Sequence, residues 1–403
     1  MSTSVRRRSL LAASSAHAVH DGMTDLIYVL LPIWQAQFAI SYAMIGLLRA
    51  SYSGVMASFQ LLASRLAKRW GRARMLIGGT ALAGVAYLIA GQAGGLPMLL
   101  IALMLGGLGA STQHPLASSL VTDAYEAGGG VKEALSTYNF AGDIGKTLIP
   151  GAVGLLLVVV SWQTSVTLIG LLGMTAALLL WRLIPAPAGT AASAAEPAST
   201  PATATATAER ASVPATAAAT ASAKAAGLRA LLATGTLDST VRMGFLTFLP
   251  FLLKNKGAGT AGIGVALSLL FVGGAFGKLL CGYLGARIGM MKTVWATESA
   301  TSLSIVAAVF LPLAGVMVLL PLLGLALNGT SSVLYGAVPE LAAPGKREQA
   351  FALFYTGTIG AGALSPVLFG RVGDVTSVPV ALLSLAAILL LTLPLAWRVQ
   401  KSL

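Results

Sequence analysis

The chain has 403 residues, of which 56% are hydrophobic and 10% charged, with a mean hydropathy of +0.83. Ordinary soluble domains carry roughly 25% charged residues, so most of this protein's surface must face lipid rather than water. The net charge of +13 does not point to nucleic acid, because the basic residues fall in short clusters between long apolar runs, as the positive-inside rule requires. The single Cys281 excludes an intrachain disulfide and leaves the redox compartment open.

Arg6, Arg7 and Arg8, followed by Ser9-Leu10-Leu11 and then Ala16-His17-Ala18, have the outline of a targeting signal. The stretch between them is short and rich in Ser and Ala, so the better reading is a cytoplasmic tail running into the first span. A spanning helix needs about 20 mostly apolar residues. Twelve segments qualify: 12–34, 42–64, 75–93, 97–121, 134–158, 162–183, 228–252, 261–284, 292–313, 316–338, 350–370 and 377–397. With the N-terminus inside, 19 Lys and Arg residues fall on the cytoplasmic side and 3 (Lys254, Lys256 and Arg371) on the other, which predicts two cytoplasmic termini. Residues 185–226 are nearly all Ala, Thr, Pro and Ser, and they read as a flexible cytoplasmic linker between six-helix bundles at 1–184 and 227–403.

Ionisable residues within spans are costly and are functional candidates by default. The first span carries His17, His20, Asp21 and Asp25; the two aspartates, four apart, share a face, and two carboxylates close together in a low dielectric suit a proton-binding site. His114 ends the apolar run of the fourth span and is either a proton carrier or a structural hydrogen-bonding group. Asp143 and Lys146, three apart, read as a local ion pair or a pair broken by substrate, and Asp238 and Arg242, four apart, repeat the theme. Arg49 lies nearer the outer end of its span and Lys278 nearer the inner surface, so each can snorkel. Asp21, Asp25, His20, His114, Asp143 and Asp238 are thus the proton-coupling candidates. Arg49, Lys146, Arg242, Tyr28, Tyr138, Asn139, Asn328 and Tyr335 are the substrate-binding candidates, the cations suiting a carboxylate or phosphonate. Three histidines offer no metal-ligand spacing, so no metal is expected.

The halves repeat. Arg69-Trp70-Gly71 before the third span recurs 218 positions later as Arg287-Ile288-Gly289, each followed by a cation. Gly142-Asp143-Ile144-Gly145 recurs 215 positions later as Gly357-Thr358-Ile359-Gly360, each with a downstream proline. Two matches at nearly one offset predict parallel six-helix repeats, with a site near the membrane midplane between them. Arg69, Gly71, Arg72, Arg287 and Gly289 form the candidate cytoplasmic gate, glycine permitting the tight turn.

These turns resemble the cytoplasmic signature of the major facilitator superfamily, although Ser64 replaces its glycine and Lys68 and Ala286 replace its aspartate, so the acidic half of the usual charge relay is missing. Four further stretches are similar to the fosmidomycin-resistance-type branch: His17 to Gly22 with Leu31-Pro32, Gly109 to Ser118, Phe140 to Gly145 with Pro150, and Tyr335 to Leu341. The resemblance implies an all-α polytopic membrane protein of twelve transmembrane helices in two pseudo-repeats, and proton-coupled efflux of small, often anionic or amphiphilic compounds. The arginine that many proton/drug antiporters carry in the fourth span is replaced by Leu103, so proton-coupled uptake of an organic anion stays open beside efflux. Gly-x-Ser-x-Gly is absent, and Gly145-Lys146-Thr147 lacks the leading glycine of a phosphate loop, since Phe140 stands in its place, which argues against an enzyme; charged midspan residues in repeated halves argue against a channel. The expected protein is a monomer in a bacterial inner membrane, driven by the proton gradient, needing no cofactor.

Overall fold

The computed structural model describes residues 3–184, 215–343 and 346–402. Among these, fourteen α-helices form twelve long rods. The N-terminal half holds α1 (Thr3–Phe38), α2 (Tyr42–Trp70), α3 (Arg72–Gly91), α4 (Leu96–Ala110), α5 (Gln113–Tyr125), α6 (Val131–Leu156) and α7 (Trp162–Leu183). The C-terminal half holds α8 (Ala215–Asn255), α9 (Thr260–Ile288), α10 (Met290–Phe310), α11 (Leu313–Leu341), α12 (Arg347–Val375), α13 (Val378–Leu389) and α14 (Thr392–Gln400). The pairs α4/α5 and α13/α14 are each one rod with a break. In the first, Pro115 has no N–H for the Ser111 carbonyl, and the N–H groups of Ser111 and Thr112 make three-residue bonds to Leu108 and Gly109 at 3.3 and 3.4 Å.

The expected spans all fall on rods, with α7 at the expected bounds. The expected linker needs correction at its end. Residues 185–214 lie outside those described, but 215–226 are the first turns of α8, because beyond Pro214 the run is alanine-rich and meets no further proline before Pro250. Eight rods are apolar enough to cross a membrane on composition alone. The four that are not, α1, α2, α6 and α8, carry Asp21, Asp25, Arg49, Asp143, Lys146, Asp238 and Arg242. Their polar residues turn inward: Asp21, Asp25, Arg49 and Asp238 are all buried.

Twelve crossings place both termini on one face, here the terminal face. On the opposite, far face the halves close against each other. A carboxylate of α12, Asp374, accepts hydrogen bonds from the backbone N–H of Tyr42 at 2.7 Å and of Ala43 at 3.0 Å, capping α2 from the other half. The Tyr42 ring meets Phe248 and Phe251 of α8 edge-on. Close backbone packing completes the seam: Gly154 of α6 lies against Gly264 of α9, and a Cβ at Gly46 would strike the Pro366 carbonyl.

The two repeated turns have one geometry. Gly71 between α2 and α3 has φ +90°, and Gly289 between α9 and α10 has φ +94°, a region closed to most other residues. The acidic partner that the signature lacks comes from elsewhere: Arg72 pairs with Asp123 on α5. Arg287 lies over the Tyr283 ring at 5.0 Å, and Arg69 is exposed.

Candidate functional site: a central cavity between the halves

Opposite the sealed seam, the halves diverge around a cavity of about 1070 Å³. Its lining includes Gln60 and Ser64 in the last turns of α2, which end at the terminal face, so the cavity opens there. Ser53, Met56 and His114 line it from the N-terminal half, and Asp238, Arg242 and Tyr335 from the C-terminal half. Deeper lies a chamber of about 180 Å³, bounded by Asp25, Tyr28, Asp143, Lys146, Arg242 and Asn328 among others.

Charges within the spans pair across helices. Lys146 Nζ lies 3.3 Å from Asp21 Oδ2, and Lys278 Nζ donates to Asp143 Oδ1 at 2.6 Å. The expected local pair of Asp143 with Lys146 is therefore corrected. Positions three apart on α6 diverge enough for Lys146 to meet α1 while Asp143 reaches α9 in the other half. Lys278 consequently does not merely snorkel. Asp238 and Arg242 do pair locally, at 3.7 Å. Among the described residues no ion pair involves Asp25, which is 7% exposed and borders the chamber. The four acids of the sequence reading thus separate into three paired and one unpaired.

Arg49 is another correction. It is 3% exposed, its Nη2 donates to Tyr28 Oη at 3.0 Å, and its guanidinium stands 4.7 Å from the Tyr28 ring centroid. Aromatic faces and the phenol hold this cation inside, and Tyr28 in turn donates to Met243 Sδ of α8 at 3.6 Å. Arg49 thus stands behind Tyr28, outside the lining of either cavity.

All three histidines of the chain gather around Asp21. His17 Nε2 lies 3.3 Å from Asp21 Oδ2, His20 Nε2 3.8 Å from Oδ1 and His114 Nε2 3.9 Å from Oδ1. The His17 ring stacks on Tyr138 at 4.1 Å, so Tyr138 supports His17 and does not line the cavity. One ligand atom each from His17, Asp21 and His114 lie within 4.8 Å of one another, a juxtaposition that sequence spacing did not reveal.

The remaining candidates divide. Asn328 borders the inner chamber and Tyr335 the outer cavity, where Tyr335 meets the Tyr355 ring at 5.2 Å. Asn139 is exposed and belongs to neither cavity, a correction: it follows Tyr138 on α6 and so points away from α1. Sequence reasoning also left Glu298 unassigned, and it is 2% exposed with Oε1 lacking a hydrogen-bond partner. It gave no role to Tyr52, whose hydroxyl is 3.1 Å from Thr24 Oγ1, or to Asp374. A lone carboxylate in an otherwise apolar span was the available signal for Glu298.

No curated protein matches the sequence significantly. Similar solved structures include a bacterial homologue of the human lysosomal transporter Spinster in an inward-facing, occupied conformation, with a TM-score of 0.79 and 15% identity over 100% of this chain and 98% of that one. The nucleoside transporter NupG gives a TM-score of 0.75 and 14% identity, over 99% of this chain and 98% of that one. At these identities the likeness establishes the fold. The Major Facilitator Superfamily profile matches residues 13–237 and again 231–402, nearly the whole described chain and each half by itself. Two matching halves around a central cavity make this a multi-pass membrane protein of the secondary-transporter class, and the chain belongs to the major facilitator superfamily.

Proposed function

We propose that the protein exports small anionic compounds of carboxylate or phosphonate type from the cytoplasm in exchange for protons, with Asp25 as the proton carrier. The observation that carries this reading is that Asp25, which borders the inner chamber, has no ion pair among the described residues, whereas Asp21, Asp143 and Asp238 each have a cation. An acid already bound to an ammonium or guanidinium resists protonation, whereas an acid without a partner can gain and lose a proton at little structural cost. The charged and titratable groups around Asp25 are Asp21 on its own helix, Arg49 of α2, Lys146 of α6 and Lys278 of α9, with Tyr28 of α1 beside it in the chamber wall.

Lys146, Arg242 and Lys278 all border the inner chamber, a set of donors suited to an oxyanion. An anion bound there competes with Asp143 for Lys278 and so loosens the tie between α6 and α9. The halves then rock around the site, opening the far seam and closing the terminal face. The sequence likeness to the fosmidomycin-resistance-type branch supports export of a phosphonate, and the basic loops support a cytoplasmic terminal face in a bacterial inner membrane, with the monomer as the working unit.

The test is fosmidomycin susceptibility of a sensitive bacterium expressing this chain, beside an Asp25→Asn variant of equal membrane abundance. Protection by the wild type that disappears in the variant is the expected result. Protection that survives Asp25→Asn rules out Asp25 as the carrier. No protection by a well-expressed wild type removes the phosphonate and turns the search to uptake of organic anions.

A further inference from the structure

The chain contains three histidines, and they converge on one buried carboxylate from two different rods, α1 and α5. From this arrangement we infer a binding site for a divalent transition metal of the zinc class, formed by His17, Asp21 and His114, whose donor atoms lie within 4.8 Å of one another, with His20 outside that group and turning in as a fourth donor on binding.

Imidazole nitrogens and a carboxylate are the donor set that zinc and its neighbours prefer. Zinc–ligand bonds of about 2.0–2.1 Å in a tetrahedron set donors about 3.3 Å apart. The His17 Nε2–Asp21 Oδ2 separation of 3.3 Å already has that value; His20 and His114 approach the other oxygen, Oδ1, at 3.8 and 3.9 Å, so the carboxylate and these two imidazoles rotate together as the metal enters. His17 is also oriented. Its Nδ1 lies 2.9 Å from the Tyr138 carbonyl, which can only accept, so Nδ1 carries a hydrogen and Nε2, facing Asp21, is the nitrogen left to bind a metal. A backbone carbonyl behind the ring is the usual outer partner of a metal-bound histidine. Both His17 Nε2 and His20 Nε2 are buried without a hydrogen-bond partner, a cost that a metal ligand bond removes. Entry is open: the His114 side chain is 43% exposed and lines the outer cavity.

One group opposes the metal. The ammonium of Lys146 holds Asp21 Oδ2 at 3.3 Å, where it acts as a built-in competitor. Metal binding displaces it towards the inner chamber. This makes an unusual prediction: removing a residue beside the site strengthens binding. The inference does not depend on the direction of transport or on Asp25.

The experiment is a cobalt titration of the full chain, purified in detergent without a histidine tag, followed by visible absorption and then by displacement with zinc. One equivalent of cobalt with a low-symmetry absorption spectrum, lost on adding zinc, is expected. His17→Ala and His114→Ala should each weaken binding by more than about a hundredfold, exceeding the roughly 10–100-fold loss typical of an outer-shell partner, and Lys146→Met should tighten it. Absence of cobalt bands in the monodisperse wild type overturns the site, whatever the variants do. Binding that is indifferent to both histidine substitutions overturns it equally, and binding unchanged in folded Lys146→Met overturns the competition.

Discussion

The two halves face each other across one cavity, yet they furnish it differently. The N-terminal half contributes a dense polar cluster: three histidines, Asp21, Asp25 and Lys146 on α1, α5 and α6. The C-terminal half contributes one local pair, Asp238 with Arg242, one cation, Lys278, that reaches across to Asp143, and an aromatic wall in which Tyr335 touches both Phe351 and Tyr355. An internal repeat therefore preserves helix placement and turn geometry while the side chains diverge. The polar half is suited to managing protons and charge, and the aromatic half to gripping the apolar part of a ligand.

Breaking that division should begin with Asp25→Asn, which carries the largest expected effect. Proton-driven accumulation in liposomes should fall to background while substrate-for-substrate exchange continues; exchange lost in parallel would place Asp25 in binding instead. Next comes the tie between the halves. Asp143→Lys or Lys278→Asp alone should impair transport, and the double exchange should recover part of it. Because Lys278 is 42% exposed, solvent screening limits the pair to about 1 kcal/mol, or roughly fivefold in the balance between conformations. A double variant no better than either single one would show that the pair does not act between the halves.

Asp374→Asn tests the far face. It keeps the shape and one of the two acceptors, but it turns an NH2 donor towards the other backbone N–H and removes the charge that caps α2, which should cost about 0.5–1 kcal/mol. Distances between spin labels across the seam should then show a larger far-open population; an unchanged distribution would remove Asp374 from the latch. Tyr335→Ala should have the smallest effect. Loss of its ring contacts with Phe351 and Tyr355 at a half-exposed position should cost the bound ligand about 0.5 kcal/mol, raising KM about twofold and leaving kcat unchanged, in contrast to Asp25. A fall in kcat with constant KM would end the proposed division of labour.

The twelve rods were legible because apolar length and turn residues are local properties. The seventh helix runs Trp162–Leu183 as its sequence requires, and the matching Arg-x-Gly turns share one left-handed glycine geometry. The pair Asp238 and Arg242 was legible for the same reason, since spacing of four on a helix fixes proximity. Partners between helices were not. Helical periodicity states which residues share a face but not which neighbour that face meets, so Asp143 was assigned to the adjacent Lys146 although its partner is 135 positions away. Arg49 was misplaced because position along a span says nothing of the rotation that turns it towards Tyr28. The histidine cluster was hidden by the 94 positions between His20 and His114, which only the packing of α5 against α1 closes.

The far seam, finally, sets stretches of bare backbone beside one aromatic contact. Where Gly154 meets Gly264 and Gly46 meets Pro366, no long side chains interlock, so parting these surfaces unthreads nothing and strips little oil-like area into water. Such a joint behaves like two smooth plates held by a few clasps. Its resistance to opening resides in the clasps, the Asp374 cap and the Tyr42 ring against Phe248 and Phe251, and a single added methyl group on either plate would act as a wedge.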